Sequence, residues 1–149
     1  MRSIMLPPSV WLFTIIAMLL AHEYFPILHA EPVIWRTAPG LALIAIALMI
    51  TIWHKRLFKK EKTNIDTFGK PDKLVDQGLF RYIRNPMYLG FVLALAGLAL
   101  LGGALSSWII AMAFFVLVDR LYIPFEEREM LARFGEQYQE YCRRTRRWI

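Results

Sequence analysis

The stretch PMYLGFVLALAGLALLGGALSSWIIAMAFFVLVDRLYI, running from Pro86 to Ile123, decides the fold. Its charges are confined to Asp119 and Arg120 near the end, and its apolar run is interrupted at Gly102-Gly103. Crossing the hydrocarbon core of a bilayer takes about 20 mostly apolar residues at a rise of about 1.5 Å each. Pro86–Leu101 and Ala104–Ile123 approach that length on either side of the glycine pair, so the stretch reads as a tight helical hairpin. Each half is a little short, a mismatch that helix tilt or local thinning of the bilayer absorbs. Ser106 and Ser107, just past the turn, lack a His/Asp partner in the context a nucleophile needs and read as turn residues.

Toward the N-terminus two further apolar runs appear, Ser9–Leu28 and Ala38–Trp53. Pro7 and Pro8 precede the first, where missing backbone donors are harmless, and His22 and Glu23 fall in its second half, near an interface. Trp35 and Trp53 bracket the second as interfacial aromatics do. The N-terminal run imitates a signal peptide, but Ala21-His22-Glu23-Tyr24 is a poor cleavage site, so a retained helix is expected. With 149 residues, 57% of them hydrophobic and 20% charged, the chain is one domain in size and too apolar for an ordinary soluble one. The expected fold is all-α: an integral membrane protein of about four transmembrane helices with a C-terminal amphipathic helix. Residues 1–149 form a single domain, with two spans and a basic connection in 1–73, and the polar motifs, hairpin and last helix in 74–149.

Orientation follows from the basic residues, because positive loops stay in the cytoplasm. Between His54 and Asn85 lie Lys55, Arg56, Lys59, Lys60, Lys62, Lys70, Lys73, Arg81 and Arg84, and the C-terminal tail adds Arg128, Arg133, Arg143, Arg144, Arg146 and Arg147. The connection between the first two spans offers only Arg36. The expectation is a multi-pass protein of the cell inner membrane with both termini cytoplasmic. The net charge of +6 flanks apolar runs, which suits anionic lipid headgroups and not nucleic acid. A lone cysteine, Cys142, excludes an intrachain disulfide, and His22, His29 and His54 have no ligand spacing, so no metal is expected. No dinucleotide fingerprint or P-loop occurs.

The densest polar information precedes the hairpin, from Asp76 to Gly90. Asn85-Pro86 is a helix start, with Asn accepting from early backbone N–H groups and Pro costing no hydrogen bond at the first helical position. Free donors and partial positive charge there, with Arg84 and Arg81, suit an anionic group; equally, a capped helix with snorkelling arginines explains them. A second cluster, Glu126-Glu127-Arg128-Glu129, follows the hairpin. Adjacent carboxylates at a membrane boundary need a cation, an Arg partner or hydration, and a helix start exposed to water serves as well as a bound sulfonium or amine. Beyond them Met130, Leu131, Phe134, Tyr138, Tyr141 and Cys142 recur at helical spacing, an amphipathic helix lying on the membrane.

Gly78-Leu79-Phe80-Arg81-Tyr82-Ile83-Arg84-Asn85-Pro86-Met87-Tyr88-Leu89-Gly90, the hairpin, Glu126-Glu127 and Phe134–Tyr141 together resemble the isoprenylcysteine carboxyl methyltransferase and phospholipid methyltransferase superfamily. The resemblance covers about half the chain, Leu74 to Trp148, with its motifs in order. It implies transfer of a methyl group from S-adenosylmethionine to a lipophilic acceptor, the cofactor entering from the cytoplasm and the acceptor from the bilayer. By the same resemblance Tyr82, Arg84, Asn85, Pro86, Tyr88, Leu89, Glu126 and Glu127 line the cofactor site, with Gln77 and Gly78 at its edge. Glu127 and Arg120 are the catalytic candidates. Asn85 stands where the family usually has His, so a role resting on a charged imidazole is lost, although Asn still donates a hydrogen bond. The ending Tyr141-Cys142 also echoes NADPH-dependent sterol reductases, a competing reading, and a small membrane scaffold without enzymatic activity is a third.

Overall fold

A computed structural model describes residues 7–25, 27–28, 34–61 and 73–149, the last residue of the second helix by its backbone alone. Lys62 and Lys70 of the basic connection, and His29, lie outside them. The described residues are helical: α1 (Pro7–Tyr24), α2 (Ile34–Glu61), α3 (Pro86–Gly102), α4 (Leu105–Leu117) and α5 (Ile123–Arg144). A 3-10 turn, Gly78–Arg81, precedes α3, and a π-helical segment, Val118–Tyr122, joins α4 to α5. Strands are absent among these residues, which hold an isolated parallel bridge between Ile83 and Arg146.

The central element is α3, whose Leu95 and Ala99 are completely buried. They pack with Met18 of α1, Ala111 and Phe114 of α4, and Val118 and Ile123 beyond it. Along its other side α3 meets α2 in the most extensive helix pairing of the fold. Small residues make this possible: a Cβ on Gly97 would stand 2.7 Å from the Gly40 carbonyl oxygen and 2.7 Å from Ile44 Cγ1. Backbones in such contact gain dispersion over a long line, the packing mode of helices that lipid surrounds. The hairpin turn forms as expected, with Gly103 capping α3 by donating its N–H to the Ala99 carbonyl at 2.9 Å.

Outward faces of the bundle are apolar. Leu12, Phe13, Leu19, Leu48 and Met49 are all more than half exposed on α1 and α2. Two helical stretches, Ile34–Lys60 and Leu105–Arg144, are long and apolar enough to cross a membrane, and Pro86–Gly102 is a shorter apolar helix.

The structure departs from the sequence expectation at the end of the last span and beyond it. No break occurs at Ile123, because helix continues from Leu105 to Arg144. Pro124 has no N–H, and its ring crowds the carbonyl four residues back, at Arg120. The π segment Val118–Tyr122 widens the helix at that place and accommodates the proline without ending it. The expected surface helix from Met130 onward is, by contrast, bent: Gly135 has φ 51 and ψ −126, a conformation accessible to a residue without a Cβ. Beyond this kink Tyr138 and Tyr141 are buried against Leu74. The apolar stripe read as membrane-facing is therefore largely spent on the segment ahead of α3.

Candidate functional site

The approach to α3 is pinned at its start by Gly78. This residue has φ +61, and a Cβ on it would lie 2.1 Å from Trp53 Cζ2. The turn it opens lays Phe80 beside the rings of Trp53, His54 and Phe58, with centroids 6.3, 5.6 and 5.7 Å away. From α5, the Tyr141 hydroxyl donates to the Phe80 carbonyl at 2.8 Å. Anchored on two helices, the chain then turns at Tyr82 and pairs at Ile83 with Arg146 of the C-terminal tail. Arg84 N–H donates to Arg146 O at 2.7 Å, and Arg146 N–H donates to Tyr82 O at 3.1 Å.

Asn85 corrects a sequence expectation. It occupies the N-cap position of α3, but its side chain makes no capping bond. Buried to 8% exposure, it donates from Nδ2 to the Arg147 carbonyl at 3.1 Å. The tail carbonyl has no helical partner and takes the amide; the backbone still starts the helix, Leu89 N–H donating to Asn85 O at 3.1 Å.

Arg84 is the hub. Nη2 and Nε donate to Glu127 Oε1 at 3.1 and 3.3 Å, while Nη1 donates to the carbonyls of Cys142 and Thr145. From the tail Arg147 grips the same carboxylate, Nη2 to Oε2 at 2.6 Å and Nε to Oε1 at 3.3 Å. That hydrogen bonding raises the Arg147 pKa above its ordinary value, against a smaller opposing effect of burial. Arg147 Nη1 also stands 3.6 Å from Asp119 Oδ1, which accepts from Trp148 Nε1 at 2.9 Å. Glu126 accepts from the Tyr88 hydroxyl at 2.7 Å.

Tertiary structure thus joins Arg84, Asn85, Tyr88, Glu126 and Glu127, residues from two motifs about 40 positions apart. Other candidates lie elsewhere. Gln77, Gly78 and Tyr82 are exposed, Pro86 is fully buried and Leu89 is half-buried. The Arg120 side chain is 80% exposed and pairs with neighbouring Asp119 at 3.5 Å; it does not turn to the glutamates. Arg147, Trp148 and Asp119 are the residues that spacing could not reveal, since the tail arginines look alike as membrane anchors. Between the limbs of kinked α5 opens a cleft of about 540 Å³, with Glu127, Arg128 and Leu131 on one wall and Tyr138, Gln139 and Arg143 on the other. Among the described residues no group of three or more His, Cys, Asp or Glu is placed to hold a metal ion.

The phospholipid methyltransferase family matches residues 35–137, and the chain belongs to it. Protein-S-isoprenylcysteine O-methyltransferase B of Arabidopsis thaliana is 39% identical over 49% of this chain and 37% of its own length. Methanethiol S-methyltransferase of Mycobacterium tuberculosis is 28% identical over 92% of this chain and 62% of its own. The chain therefore spans less than two thirds of either relative. No solved structure matches it. The family expected from the motifs is the family found.

Proposed function

We propose that this protein crosses a membrane several times and transfers a methyl group from S-adenosylmethionine to a lipophilic acceptor, at the cytoplasmic side. The observation that carries the reading is the convergence of Arg84 and Tyr88 on Glu127 and Glu126, beside a cleft that Glu127 lines. The residues suit the cofactor. Glu127 is an acceptor for ribose hydroxyls or an amine, Arg128, Gln139 and Arg143 are donors for a carboxylate, and Tyr138 offers a ring. The cleft volume of about 540 Å³ lies in the range of small-molecule sites.

When bound, S-adenosylmethionine supplies an electrophilic methyl on a sulfonium. The protein's part is then to orient and to exclude water. Arg84 and Arg147 hold Glu127 in one direction, and Tyr88 holds Glu126. In-line displacement by a nucleophilic acceptor asks for alignment and desolvation without a general base. Relatives named for a prenylcysteine and for methanethiol bring a prenylcysteine carboxylate, a small thiol and a phospholipid amine forward as acceptor classes. In this reading the basic ends of α2 and α5 lie at the cytoplasmic face, against anionic lipid. Calorimetric titration of the detergent-solubilised protein with S-adenosylmethionine, and incubation of lipid extracts and thiols with methyl-labelled cofactor, test the proposal. Binding with label transfer is expected; binding of NADPH in place of S-adenosylmethionine would overturn it.

A further inference from the structure

We infer that Arg147 is a positioning residue for Glu127, which makes the C-terminal tail a part of the cofactor site. The inference rests on the methyl-transfer reading. Glu127 has unequal oxygens. Among the described residues Oε1 accepts from Arg84 Nε, Arg84 Nη2 and Arg147 Nε, whereas Oε2 accepts from Arg147 Nη2 alone, at 2.6 Å. A carboxylate oxygen carries two lone pairs, so Oε2 keeps acceptor capacity on a residue that lines the cleft.

The terminal torsion of a glutamate is broad, and Arg84 alone, gripping Oε1, leaves Oε2 free to swing. Arg147 removes that freedom by bonding both oxygens through one planar guanidinium, a two-point hold that a lysine ammonium cannot reproduce. Arg147 is itself held from three directions. Its carbonyl takes the Asn85 amide, its Nη1 faces Asp119, and the next residue, Trp148, donates to the same Asp119 and stands 5.1 Å from the Phe115 ring. A membrane anchor would direct its head toward solvent and headgroups. This arginine instead bridges Asp119 of the π segment and Glu127 in the first turns of α5.

The test is a double-mutant cycle on S-adenosylmethionine affinity, read by calorimetry, with thermal unfolding of each ligand-free variant as an independent readout of folding. Arg147→Lys and Arg147→Gln should each weaken binding by about tenfold, the worth of one charge-assisted hydrogen bond. In the Glu127→Gln background the same changes should add less than about twofold. Arg144→Gln, which removes another tail charge paired with Asp76, should leave affinity within about twofold. Full additivity of Arg147 and Glu127 changes, or an Arg147→Lys variant that binds like the parent, overturns the inference. A parent protein that binds no S-adenosylmethionine overturns the functional reading and this one together, so the two failures are distinguishable.

Discussion

Asn85 bonds to a carbonyl 62 residues away, and this alters what its substitution should do. A mere N-cap would tolerate Ser and Asp, which cap comparably. Here Asp turns a charge toward the Arg147 carbonyl, and Ser is too short to replace the amide donor. Both Asn85→Asp and Asn85→Ser should lower stability by about 1–3 kcal/mol, the cost of an unpaired buried polar group. Thermal unfolding in detergent measures this, and variants as stable as the parent would restore the cap account. Glu127 invites a sharper contrast. Its partners Arg84 and Arg147 are only 14% and 35% exposed, and Glu127→Gln leaves Arg84 without its counter-charge and Arg147 with Asp119 alone. The expected loss is about 2–3 kcal/mol, below that of a fully buried pair. Arg144→Ala breaks an exposed pair with Asp76 and should cost at most about 1 kcal/mol. Equal losses in denaturation midpoints would mean that the Glu127 cluster is no more than surface electrostatics.

At the scale of the element, two helices depend on glycines for different reasons. Gly97 gives α3 room to touch α2, and a methyl there would meet the Gly40 carbonyl at 2.7 Å. Gly97→Ala should force the helices apart and destabilise the protein by about 1–3 kcal/mol, seen as a lower thermal midpoint. Gly135 has open space around it but a backbone that a side chain strains. Gly135→Ala should cost about 1–3 kcal/mol and, by straightening α5, reshape the cleft. Weakened S-adenosylmethionine binding out of proportion to the stability loss is the result that would support this. The apolar runs, the hairpin and the Asn85-Pro86 helix start were legible in local composition. The π segment and the kink were not. Both are compromises between Pro124 or Gly135 and the packing around them, and helical periodicity continues smoothly through each.

At the scale of the molecule, the basic ends of α2 and α5 lie with the Arg84–Glu127 cluster at one end of the bundle, and the hairpin turn lies at the other. In the proposed topology, a cysteine at Lys60 should react with an impermeant maleimide only after the cells are opened. One at Trp35 should react from outside. These tests need a Cys142→Ala background, and the reverse pattern would invert the topology. Apolar length, loop charge and the motif residues were local properties, so they were readable along the chain: helices that bury little against each other still need about 20 apolar residues each. Motif recognition led to the family that was found, and the structure brings Arg84, Tyr88, Glu126 and Glu127 of those motifs together. Partnership within the site was another matter. Whether Glu127 would meet Arg120, seven residues away, or Arg147, twenty away, depended on how Pro124 and Gly135 redirect α5. Only the folded chain could decide that, because a charge's partner is set by three-dimensional approach, and sequence distance carries no information once the helix turns back.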